Sequence, residues 1–69
     1  MSKCYAVLCM CEDLTKGKIL MIENCLSEYE ISVPTFRRYI SLLRIYFAER
    51  CCMELIYDKQ LKGYRLEKS

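Results

Sequence analysis

Hydrophobic positions along the chain recur with a helical period in three stretches and alternate in one near the end. Over residues 3–14, Cys4, Leu8, Cys11 and Leu14 fall at i, i+4, i+7 and i+10, with Val7 widening the stripe. This predicts a helix with Ser2 as its N-cap. Thr15-Lys16-Gly17-Lys18 breaks the pattern, and Lys18–Met21 reads as a short extended piece. Residues 22–29 return to a helical period through Ile22, Cys25, Leu26 and Tyr29. Glu30-Ile31 makes a tight connection to Ser32-Val33-Pro34, the clearest helix start in the chain. Ser32 suits an N-cap, and a proline in the first turn lacks only an N–H that would be unpaired there.

The third helix is expected over residues 33–50, with Phe36, Tyr39, Ile40, Leu42, Leu43, Tyr46 and Phe47 on one broad apolar arc. Pro34, Arg37, Arg38, Ser41 and Arg44 gather on the other arc, where Ile45 borders a strip holding three Arg and no acid. Strands are expected over residues 53–57 and 63–67, the second alternating Tyr64 and Leu66 on one side. Between them Asp58-Lys59-Gln60-Leu61-Lys62 forms a polar, basic tip with Gly63 at its exit. The fold class is therefore mainly α with a small β-hairpin: one domain over residues 1–69, three helices and a two- to three-stranded antiparallel sheet. The element order matches that of a winged helix-turn-helix.

Composition changes this picture little. With 54% hydrophobic and 29% charged residues the chain is not disordered, and 69 residues leave room for one small, marginal core and no deep pocket. No apolar run approaches the ~20 residues that cross a bilayer, so no membrane is expected as a partner. No signal peptide is apparent at the start. Charge is more informative. Residues 1–31 carry three Lys and five acids, for a net of −2, whereas residues 32–69 carry eight basic and four acidic groups, for a net of +4. The basic half offers a phosphate-facing surface.

Here the residues also carry a resemblance. Tyr29-Glu30-Ile31-Ser32-Val33-Pro34-Thr35-Phe36-Arg37-Arg38-Tyr39-Ile40-Ser41-Leu42-Leu43-Arg44 resembles the helix-turn-helix of bacterial regulators of the DeoR and WYL-domain types. Ile31, Ser32, Thr35, Phe36, Arg38, Ile40 and Leu43 match that pattern in register, and Gly63-Tyr64-Arg65-Leu66 is similar to the segment ending their wing. The resemblance spans about residues 18–66. Tyr39 stands where the family usually has Asp, and Leu26 and Glu30 stand where smaller residues are usual. The effector domain that normally follows has no place in 69 residues, so the resemblance implies a DNA-binding domain and not a sensor.

What it implies is sequence-specific binding of double-stranded DNA, as in a small cytoplasmic transcriptional regulator. Ser32, Pro34, Thr35, Arg37, Arg38, Ser41 and Arg44 would lie at the major groove, and Lys59 and Lys62 on the backbone beside it. Arg37 and Ser41 are expected at base edges or nearby phosphates, Arg38 at phosphate or in orienting the helix, and Arg44 at a flanking phosphate.

Other chemistry has less support. Six Cys in a chain without secretory features read as buried small hydrophobes in a reducing compartment. Cys9, Cys11, Cys51 and Cys52 suggest a thiolate metal or redox site, but there is no His and no Cys-x-x-Cys spacing. No catalytic constellation and no cofactor motif is present, so no enzyme is expected. Apolar residues left over by so small a core, among them Tyr39, Leu42, Ile45, Tyr46, Tyr5, Met10 and Met21, point to a partner surface, either for a homodimer or for a larger protein. An interaction module without DNA binding is the alternative reading.

Overall fold

The computed structural model describes residues 3–68. Helix α1 spans Lys3–Thr15, α2 Ile22–Tyr29 and α3 Val33–Tyr46; strands β1, Met53–Asp58, and β2, Gly63–Lys68, form an antiparallel hairpin. This is an α+β architecture of three helices and one two-stranded sheet. No helix among the described residues is long and apolar enough to cross a membrane. The cap expected of Ser2 lies outside the described residues.

Local chemistry explains most boundaries. Gly17 turns the chain out of α1 with φ +84°, a region that costs glycine nothing. Glu30 ends α2 in the left-handed region (φ 52°), and its N–H and that of Ile31 both bond to the Leu26 carbonyl. That pattern closes a helix, and the half-buried Leu26 and Ile31 on either side of the turn both pack against the core. Ser32 then caps α3, accepting a hydrogen bond from the Thr35 N–H at 3.4 Å.

The far end of α3 differs from expectation. The helix does not stay α to residue 50. It widens into a π-helical turn over Phe47–Cys51, and the Cys52 N–H reaches back to the Phe47 carbonyl. Phe47 is thereby held fully buried, and Cys52, at φ 54°, turns the chain directly into β1.

The core is built from every element: Ala6, Met10 and Leu14 of α1, Leu20, Cys25 and Tyr29, then Phe36, Tyr39, Ile40, Leu43, Phe47 and Leu55. In α1 this corrects the sequence reading. The buried stripe is Ala6-Met10-Leu14, whereas Cys4 is exposed, Leu8 is 67% exposed and Cys11 is half-buried. Two apolar stripes lie side by side on this helix, and periodicity cannot choose between them. Met10 is fully buried in the core, where its unbranched side chain can adapt to its neighbours. Met10 and Tyr39 are accordingly no part of a partner surface, while Tyr5, Met21, Leu42, Ile45 and Tyr46 are exposed.

The hairpin is tied to the helical part of the chain beside its turn. Leu20 and Tyr64 exchange both backbone hydrogen bonds at 2.8 Å, so the extended piece before α2 adds one rung to β2. The rung needs a glycine next to it: a Cβ on Gly63 would strike the Ile19 side chain and come within 2.9 Å of the Leu20 carbonyl oxygen. Tyr64 also meets the Phe36 ring at 5.9 Å, fixing the hairpin against α3.

Candidate nucleic-acid interface

The N-terminus of α3 is closed by its own side chains. The Ser32 hydroxyl donates to Thr35 Oγ1 at 3.0 Å while accepting from the Thr35 N–H. Both hydroxyls are thus engaged with each other, and Thr35 is half-buried. Pro34 is exposed beside them.

Beyond this cap, Arg37, Arg38, Ser41 and Arg44 are all exposed. They fall on the side of α3 opposite Phe36, Ile40 and Leu43, which are buried, so core packing itself turns the arginines outward. The Ser41 hydroxyl donates to the Arg37 carbonyl at 3.1 Å, within the helix. None of the ion pairs among the described residues involves Arg37, Arg38 or Arg44. Three guanidinium groups therefore present their donors to solvent with no carboxylate taking them up.

The strip is not uniform. Arg37, Ser41 and Arg44 cluster on one side. Arg38 leans the other way, lining a cleft of about 590 Å³ between α1 and α3 with Cys4, Val7, Leu8, Thr35, Tyr39 and Leu42. That cleft continues along the helices past Cys11 and Tyr46. The sequence reading missed it because Cys4 and Leu8 sit on a stripe that looks like core; the sign available was the second apolar stripe beside them.

Lys59 and Lys62 stand exposed at the hairpin tip, neither in an ion pair among the described residues. Asp58 makes the tip rigid. Its Oδ1 accepts from the Gln60 and Leu61 N–H groups at 2.9 and 3.1 Å, and its Oδ2 accepts from Arg65 Nε at 3.1 Å. The Leu61 amide foremost, and then the Arg65 guanidinium, hold its carboxyl below the ordinary aspartate range. Lys62 takes a left-handed φ of 55° to close the turn.

The cysteines divide differently from expectation. Only Cys25 is buried; Cys9 and Cys11 are half-buried and pack against the core, and Cys4, Cys51 and Cys52 are exposed. Burial pushes the Cys25 thiol up to about 11, so it stays protonated and inert. Among the described residues no three Cys, Asp or Glu side chains come together as a metal-holding group. No protein-family model, curated protein or solved structure matches the chain.

Proposed function

We propose that this chain is a double-stranded DNA-binding domain of the winged helix-turn-helix type, acting in transcription in the cytoplasm and not as a catalyst. The observation that carries the reading is the exposed, unneutralised strip of Arg37, Arg38, Ser41 and Arg44 on a capped helix, with Lys59 and Lys62 on a rigid hairpin beside the same helix. A helix about 10–12 Å across fits a major groove about 12 Å wide. Arg37 and Ser41 then face base edges, Arg44 a flanking phosphate, and Arg38 a phosphate at the rim. Lys59 and Lys62 brace the backbone from the hairpin tip. The resemblance to DeoR- and WYL-type regulators points the same way.

Four cations at phosphates, Arg38, Arg44, Lys59 and Lys62, would give a salt slope of about −3.6, and binding some 150-fold weaker at about 200 mM salt than at about 50 mM. Fluorescence anisotropy with a random 30-base-pair duplex reads this directly, with Arg37→Ala as the comparison. A folded protein that binds no DNA at low salt would refute the reading. One observation favours protein docking instead, namely the exposed Leu8, Leu42, Ile45 and Tyr46. Binding that ignores salt would identify that mode.

A further inference from the structure

The exposed side of α3 carries a second pattern besides its arginine strip. Arg38, Leu42, Ile45 and Glu49 are spaced four, three and four residues apart, so they form one stripe along the helix and its π-helical turn. Its centre is apolar: Leu42 is 53% and Ile45 56% exposed. Its ends carry opposite charge. Arg38 and Glu49 are both exposed, and neither takes part in an ion pair among the described residues.

Such a stripe complements itself when reversed. Two copies of α3 laid antiparallel about a two-fold axis between Leu42 and Ile45 set Leu42 of each against Ile45 of the other. The same register sets Arg38 of each against Glu49 of the other, at the two ends of a stripe about 16 Å long. One alignment therefore satisfies the apolar centre and both charged ends, which is the requirement on an isologous contact. A parallel alignment would instead face Arg38 with Arg38 and Glu49 with Glu49.

The apolar part of the face extends beyond the stripe. Leu8, 67% exposed, stands across the cleft from Leu42, and Tyr46, 46% exposed, extends the face toward the π-helical turn. With Arg38 and Glu49 at its ends, the face is an apolar centre framed by opposite charges.

We infer that the α3 face formed by Arg38, Leu42, Ile45 and Glu49 is an antiparallel self-association surface whose occupant is a second copy of this chain. This does not rest on the DNA reading. Joined to it, the inference makes pairing and DNA binding exclusive, because helices packed about 8–10 Å apart do not enter one groove about 12 Å wide.

Sedimentation equilibrium of the whole chain from about 1 μM to 1 mM tests the surface. The parent should dimerise. Arg38→Glu and Glu49→Arg, both at exposed sites, should each weaken dimerisation on the order of tenfold by opposing like charges at both ends. An equimolar mixture of the two variants should pair as tightly as the parent, because unlike charges then meet at both ends. Circular dichroism establishes that each variant is folded. A parent that stays monomeric, charge variants that dimerise unchanged, or a mixture that fails to restore pairing would each overturn the inference.

Discussion

Replacing Gly63 with Ala should destabilise the protein by about 2–4 kcal/mol, more than any surface substitution of one methyl group should. The added Cβ would meet the Ile19 side chain and lie 2.9 Å from the Leu20 carbonyl oxygen. Ile19 can rotate away. Leu20 cannot, because its carbonyl and N–H are both bonded to Tyr64 at 2.8 Å and its side chain is 97% buried by the core, with 3% exposed. Relief therefore requires the extended piece to move off β2, weakening two hydrogen bonds at ~1 kcal/mol each and loosening a buried leucine. A domain of 69 residues has roughly 3–10 kcal/mol in total. At about 1 kcal/mol per molar urea, the unfolding midpoint should fall by about 2–4 M. Adding Ile19→Ala should recover only the side-chain part of the loss. A Gly63→Ala midpoint within about 0.5 M of the parent would refute the argument, since the backbone clash would then have been absorbed without breaking the rung.

Three further outcomes are expected. Glu30→Gly should stabilise by about 0.5–1 kcal/mol in the same urea assay, because a left-handed φ strains Glu and not Gly. Met10→Ala should cost about 2–5 kcal/mol while Leu8→Ala stays within about 0.5 kcal/mol, which checks which stripe of α1 faces the core. Asp58 sits below its ordinary range in the folded protein, so its contribution is present above the unfolded aspartate value near pH 4 and disappears as pH falls through the lowered folded value. Unfolding midpoints measured between about pH 6 and pH 2 should accordingly fall less steeply for Asp58→Asn than for the parent.

Much of the architecture was legible in the sequence because short-range chemistry dictates it. Ser32 and Pro34 start α3, Gly17 ends the break after α1, and the alternation around Tyr64 and Leu66 marks a strand, all from residues within a few positions of one another. The π-helical turn was not legible. It accompanies the burial of Phe47 and the turn at Cys52 into β1, positions set by tertiary packing that no local signal encodes. The face of α1 was misread in part for a related reason: Cys4-Leu8-Cys11-Leu14 and Ala6-Met10-Leu14 are both apolar and share Leu14, and only where α1 packs on α3 and β2 selects the second. For the candidate interface, exposure of Arg37, Arg38, Ser41 and Arg44 followed from the helical period alone. The divergence of Arg38 toward the α1 cleft did not, since it depends on where α1 packs.

The paired bonds between Leu20 and Tyr64 also bear on the order in which the molecule can assemble. They join positions 44 residues apart in a chain whose other close contacts are largely within or between neighbouring elements. A two-stranded hairpin alone is at best marginally stable in water. Residues 53–68 should therefore gain lasting structure only once the piece before α2 is in place to receive them, which raises the contact order and slows the last stage of folding. In hydrogen exchange, the Leu20 and Tyr64 amides should open with the whole domain and not with the hairpin tip, making the hairpin and the helices one cooperative unit.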